Sequence, residues 1–173
     1  KAEIERHIHT LPIVSTIVRP ATFMDLLVMP GFGLDEGQFH FFMQPDDAMQ
    51  VLAVEDIGKI VAAIYAQPER FKGKTFEIAS DVVTGLQLQE LFSAAAGRLI
   101  PYSRFSDDVL TANPFLQKLT ALADDGRLVG HASLEEMRQL NPQLQSFESW
   151  LAGNGRGAFE RALAISANWE FNR

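Results

Sequence analysis

The sequence contains no cysteine. That one absence removes structural disulfides, thiolate metal sites and cysteine nucleophiles together, and it makes a cytoplasmic home the expectation. An excess of positive charge is missing too: 15 Lys and Arg stand against 22 Asp and Glu, a net charge of −7. That is the wrong sign for a phosphate backbone or an anionic lipid surface, so neither nucleic acid nor membrane is expected as a partner. Long apolar runs are also lacking. The stretch from Phe23 to Leu34 is broken by Asp25, Pro30 and two glycines, well short of the ~18 apolar residues that a membrane span needs. There is no signal-peptide pattern, no repeat of fixed period and no low-complexity tract. No Gly-x-Ser-x-Gly elbow is present, so a hydrolase triad has no support.

What is present describes a globular chain. Apolar residues make up 47% and charged residues 21% of the 173 residues, and a chain of this length buries roughly 70% of its unfolded surface. A helical pattern starts at Lys1 with no cap before it, and Ile4 and Ile8 share one face over Lys1 to Thr10; the expectation is a chain whose N-terminal part lies outside this sequence. From Ile13 to Arg19 both alternating faces carry β-branched residues, which predicts a fully buried strand in a parallel sheet covered on each side by helices. Phe23 to Met29 reads as a loop or short helix running into the glycine-rich and mobile stretch Pro30 to Gly37. Gln38–Met43 and Met49–Val54, separated by Gln44-Pro45-Asp46-Asp47-Ala48, read as a hairpin.

Further on, Ile57 to Ala66 carries a helical stripe with Glu55 and Asp56 at its positive end, and we read Asp56 as an N-terminal helix acid. Thr75 to Ala79 alternates like a strand. Thr84-x-x-Gln87 is a capping box opening a helix that Gly97 closes, and Leu99 to Phe105 forms another short strand. Helical patterns follow over Asp108 to Leu122, over Leu134 to Leu140 behind Ser133-x-x-Glu136, over Phe147 to Leu151, and from Ala158 onward. Phe147 and Trp150 fall on one helix face, and Trp150 is expected to pack against Leu140-Asn141-Pro142. Gly153-x-Gly155-x-Gly157 reads as a flexible connector. Gly31-x-Gly33-x-x-x-Gly37 follows Met-Pro where a dinucleotide loop would follow a strand, so it is not read as one. His7 and His9 point to different sides of a helix without a carboxylate to complete a ligand set, so no metal site is expected.

Four stretches carry more than composition. Lys1 to Glu5 leads through Leu11-Pro12 to a strand closing in Arg19-Pro20, then Phe23-Met24-Asp25; Val54-Glu55-Asp56-Ile57-Gly58 opens a helix; Gly73 to Ala79 runs on to Thr84; and Leu140-Asn141-Pro142 precedes Phe147-Glu148-Ser149-Trp150-Leu151. In this order and spacing they resemble the NmrA-like branch of the atypical short-chain dehydrogenases/reductases, which are NAD(P)-binding Rossmann proteins. The resemblance implies an α/β fold: the C-terminal part of a Rossmann-type doubly wound parallel sheet plus a smaller, mostly helical C-terminal domain. Residues 1–80 would be the remainder of the dinucleotide-binding domain, and residues 81–173 the helical substrate or partner domain. It also implies NADP or NAD as cofactor, with the glycine-rich pyrophosphate turn lying before this sequence and the phosphate preference unreadable here. Lys1 matches the lysine at the nicotinamide ribose, the one catalytic candidate, and Phe23, Met24 and Asp25 match the loop that walls the nicotinamide. Leu26 stands where the family often has Asn. The Tyr that pairs with the lysine in catalytic members would lie four residues before Lys1. Ligands of open α/β sheets do sit outside the carboxyl ends of the strands, where Phe23 to Asp25 fall.

Three functions compete at this point. One is an NAD(P)(H)-binding redox sensor whose helical half meets a protein partner, with a homo-oligomer also open. The second is an NAD(P)H-dependent oxidoreductase acting on a quinone, carbonyl or conjugated double bond. The third is an α/β interaction module without a ligand.

Overall fold

The computed structural model describes residues 2–164. Strand β1 (Ile17–Pro20) pairs in parallel with β5 (Thr75–Ile78), Ile17 opposite Thr75 and Pro20 opposite Ile78. The parallel direction is the one expected, but the burial is not. Ile13 and Val14 precede the strand and are exposed, and Ile17 and Val18 are only half-buried. Among the described residues β1 has one neighbour, and apolar residues on both faces are covered only when strands flank both edges and helices cover both faces. An open groove of about 500 Å³ runs beside it, with Thr16 and Val18 on one side and Val61, Ile64 and Tyr65 on the other.

Met49–Leu52 forms β4, which lies between β2 (Thr22–Phe23), parallel to it, and β6 (Asp81–Val83), antiparallel. All four residues of β4 are buried. The third pairing joins β3 (Phe39–Phe41) to β7 (Tyr102–Arg104), again in parallel. The expected hairpin is therefore absent: β3 and β4 sit in different sheets, and Gln44 to Ala48 crosses between them. Pro and Asp mark where a chain turns, but the partner of each strand is chosen by which faces can be buried, and β4, buried on both faces, has a strand along each edge.

Helix α1 (Ala2–Thr10) has no buried residue and is tied to the end of β1 by the Glu5–Arg19 ion pair, where Arg19 Nε donates to Glu5 over 3.1 Å. Helix α2 (Val54–Tyr65) turns Ile60 and Ile64 inward, and α3 (Pro68–Phe71) follows it. The box at α4 (Gly85–Ala96) forms as read: Thr84 Oγ1 accepts from the Gln87 amide, Gln87 Oε1 accepts from the Thr84 amide, and Gly97 closes the helix at φ +65°. The single helix expected over Asp108 to Leu122 is two, α5 (Asp107–Ala112) and α6 (Pro114–Asp124). Pro114 has no N–H to continue the first and forces Asn113 into an extended conformation; the Asn113 side chain then caps the second. Helices α7 (Leu134–Leu140), α8 (Phe147–Ala152) and α9 (Arg156–Ala164) complete the described chain.

Two apolar clusters hold these elements. The larger gathers Met24, Leu27, Phe39, Phe41, Phe92, Phe147, Trp150 and Phe159; the smaller gathers Leu52, Ile60, Ile78, Met137 and Leu140. Trp150 is buried, but its neighbours are Phe147, with ring centroids 5.6 Å apart, and the larger cluster. Leu140 belongs to the other one, so the expected packing of Trp150 on the Leu140-Asn141-Pro142 turn is corrected. Nor is Gly155 a connector: a Cβ there would stand 2.5 Å from the indole ring, and its amide donates to the Trp150 carbonyl over 2.8 Å. Gly155 is required because the Trp150 ring occupies the space a side chain would take.

Candidate functional site

The sequence placed its site where the chain leaves β1 and β2. Lys1 lies outside the described residues. Phe23 ends β2 half-buried against the smaller apolar cluster, and Met24, the next residue, is fully buried in the larger one. The two neighbours thus pack into different apolar clusters where the strand gives way to a 3₁₀ segment. Asp25 sits in the first turn of a 3₁₀ segment (Met24–Val28) with its side chain in solvent, followed by exposed Leu26.

Below this loop, at the carboxyl ends of β1 and β5, lies a cleft of about 190 Å³ whose walls are Arg19 to Thr22, Glu77 and the loop Arg127 to Gly130. That last wall was not legible in the sequence. Gln50, buried on β4, clamps it: Nε2 donates to the Ala132 carbonyl over 2.8 Å, Oε1 accepts from the Ala132 amide over 2.9 Å, and the Gln50 amide donates to the Val129 carbonyl over 2.8 Å. Gly130, at φ +86°, lets the loop come this close, because a Cβ would stand 2.6 Å from Gln50 Oε1. Glu77 accepts from the His131 amide over 2.7 Å. The signal was one glycine, and the Gln50 side chain that clamps its loop bonds Ala132 across 82 residues of sequence.

The cations of the cleft are already paired. The Arg19 guanidinium hydrogen-bonds Glu5 and holds its carboxyl below the usual range; Arg127 does the same to Asp125, and both guanidiniums are pushed up in return. The cleft is further lined by Pro20, Ala21 and Thr22; Phe23, the next residue, is part-exposed but is not among its walls. Among the described residues no glycine turn follows a strand to cradle a pyrophosphate: Gly33 instead leads into a 3₁₀ turn (Leu34–Glu36), and the His40 ring packs onto it. No group of three or more metal-ligating side chains occurs among the described residues. Ser103 Oγ and His40 Nδ1 are 2.7 Å apart, yet among the described residues no carboxylate hydrogen-bonds that ring, so a nucleophilic triad is incomplete. No helix among them is long and apolar enough to cross a membrane.

Asp56, read as a helix acid, does more than face a dipole. It is fully buried, and its carboxylate accepts from Ser80 Oγ over 2.8 Å, Asn141 Nδ2 over 2.8 Å and the Gln145 amide over 2.9 Å. Two of the stretches that carried the resemblance, Val54 to Gly58 and Leu140-Asn141-Pro142, thus meet each other in space. Asp81 makes a similar tie, accepting from the Phe147 amide over 2.8 Å.

The fold has counterparts among known proteins. A crystal structure of a nucleoside-diphosphate-sugar epimerase from Staphylococcus aureus matches with 24% identity and a TM-score of 0.67, over 87% of this chain and 56% of that one. NmrA, described as a negative transcriptional regulator and crystallised in complex with NAD, matches at 16% identity and a TM-score of 0.69, over 93% of this chain and 58% of its own. Its complex with NADP gives 16% and 0.67. The chain therefore spans under three fifths of the length of these structures. At such identities the likeness is one of fold, a mixed α/β arrangement of Rossmann type with parallel strands. The family model of NmrA-like proteins matches residues 1–151, most of the chain, and so this chain belongs to the NmrA-like family.

Proposed function

We propose that this chain supplies the nicotinamide side of an NAD(P)(H)-binding site, and that the protein it serves is a redox-sensing regulator acting in the cytoplasm. The observation that carries the dinucleotide is the placement of Phe23 to Asp25 just past the carboxyl ends of two parallel strand pairs in a member of this family. In this reading Lys1 hydrogen-bonds the ribose, while Phe23 and the backbone around it flank the ring. Met24 acts from beneath by fixing that backbone in the core, and Asp25 meets the ring's polar edge. The pyrophosphate rests on a turn that precedes Lys1. Residues 1–80 belong to the dinucleotide-binding domain and residues 81–173 to a helical domain that presents a surface to a protein partner.

Support for a sensor over an enzyme comes from the side chains at hand. Beyond Lys1, the cleft offers Arg19 and Arg127, already paired, and Glu77, already engaged by a backbone amide. These three are engaged, and the one free carboxylate at the proposed site, Asp25, is exposed to solvent, which supports a weaker acid–base role than proton-coupled hydride transfer needs. NmrA, the like-folded protein crystallised with NAD and with NADP, is itself described as a transcriptional regulator. The test is an NADPH fluorescence titration of this chain and of a form extended N-terminally through the family's glycine turn. We expect tight binding only in the extended form, with Lys1→Ala costing about 1.5–3 kcal/mol, as loss of a hydrogen bond to a charged group does. Tight binding by the 173-residue chain, or indifference to Lys1→Ala in the extended form, refutes the assignment. Steady NADPH oxidation on addition of a quinone would replace the sensor with the oxidoreductase.

A further inference from the structure

A second cleft, of about 230 Å³, opens on the other side of the nicotinamide wall, between the 3₁₀ segment Met24–Val28 and helix α9. One wall is apolar (Val28, Met29 and Pro30), and α9 supplies Ala158 and Ala162 opposite. Arg161 belongs to the same helical face, since Ala158, Arg161 and Ala162 are spaced i, i+3 and i+4. The small alanines let α9 approach the 3₁₀ segment while the long Arg161 side chain reaches the opening. Asp25 stands in the same cleft. Both charged side chains are exposed, and among the described residues neither makes an ion pair or a side-chain hydrogen bond, with the other or with any third group. Arg98 and Arg138 are exposed and without an ion pair among the described residues as well, but of the three only Arg161 lines this cleft; Arg19, Arg70, Arg127 and Arg156 are paired.

We propose that this cleft binds a small ligand with an apolar body, a hydrogen-bond donor at one end for Asp25 and an anionic oxygen at the other for Arg161. Two opposite, unpaired charges on facing walls are satisfied together by one molecule carrying the complementary groups. The guanidinium fork suits a carboxylate, which it can grip through two parallel N–H bonds. The size limits the body to about one ring, because sites for drug-sized ligands start at roughly 300 Å³. Hydroxylated aromatic acids are the simplest class that meets all three conditions. That such a ligand is the substrate or effector of the redox site rests on the cofactor reading above, since Asp25 is shared by the two; that the cleft takes this chemistry does not.

The experiment is an amide-resolved NMR titration of this chain with 4-hydroxybenzoate, benzoate and phenol. We expect shifts at Val28, Met29, Ala158 and Ala162 with 4-hydroxybenzoate. Arg161→Gln should weaken 4-hydroxybenzoate and benzoate by about tenfold or more, the least that loss of a charged hydrogen bond produces, and leave phenol unchanged, with Arg161→Lys intermediate. Asp25→Asn should weaken 4-hydroxybenzoate and phenol and spare benzoate. Both side chains are exposed, so these variants should keep the amide spectrum of the parent. Shifts elsewhere only, or equal affinity after Arg161→Gln, overturn the proposal. NADPH titrated into the extended protein separates the two claims: loss of cofactor binding with 4-hydroxybenzoate retained sinks the cofactor reading alone, and the converse sinks this cleft alone.

Discussion

Strands β1 and β4 look alike in sequence and end in opposite circumstances. Ile17-Val18 and Val51-Leu52 are comparable apolar pairs, yet β4 is buried throughout between β2 and β6, while among the described residues β1 has a neighbour on one edge and keeps Ile13 and Val14 in solvent just before it. Residue type sets what a strand can bury; the neighbours set what it does bury. Around β4 the interior is also tied by polar groups: Gln50 clamps one loop, and Asp56 and Asp81 hold the α7–α8 region. Around β1 the ties are exposed ion pairs, chiefly Glu5–Arg19. The proposed cofactor wall lies where the two regions meet, with a firm floor in Met24 and an open rim in Asp25.

The contrast makes graded predictions. Trp150→Ala in the firm region should cost about 3–5 kcal/mol, as large-to-small core changes do; a denaturant midpoint implying less than about 1 kcal/mol would break the comparison. Asp56→Ala follows, at about 3 kcal/mol, because it strands the donors Ser80 Oγ, Asn141 Nδ2 and the Gln145 amide in the interior. Asp56→Asn sharpens the result: it keeps the volume and loses the anion, and should cost less than the alanine. Gly130→Ala should cost about 2 kcal/mol from a left-handed backbone and a clash with Gln50, and fast amide exchange should appear at Val129 to Ala132. Val14→Ser, in the loose region, should stay within about 0.5 kcal/mol. Acid gives the smallest effect. Arg19 holds the Glu5 carboxyl below its ordinary value, so whatever the pair contributes is present above the unfolded carboxyl's range and is lost as pH falls through the lowered one; α1 should fray first on the acid side, read from its amide shifts.

Much of this fold was readable because the deciding contacts are local. The α4 capping box needs only Thr84 and Gln87, and the helical stripe of α2 is set by residues three and four apart. The failures share the opposite property. The hairpin over Gln38 to Val54 was drawn from a turn signal, while the true partners of its strands, Tyr102–Arg104 on one side and Thr22–Phe23 with Asp81–Val83 on the other, are distant in sequence. Asp56 was read by its helix position, although its role is set by Asn141 and Gln145, more than 80 residues on. At the site, the position of Phe23 to Asp25 was legible from the strand end that precedes it. The Arg127 to Gly130 loop of one cleft and Arg161 of the other were not, since each reaches its cleft only through tertiary packing.

The central claim is that this chain meets the nicotinamide end of the dinucleotide and leaves the rest to residues before it. Saturation-transfer NMR on this chain with NADPH tests it directly, because the method registers weak binding and resolves the two ends of the ligand. The account predicts transfer to the nicotinamide ring protons, little to the adenine protons, and loss of the signal with Phe23→Ala. Equal transfer to adenine, or a nicotinamide signal unchanged by Phe23→Ala, would contradict it.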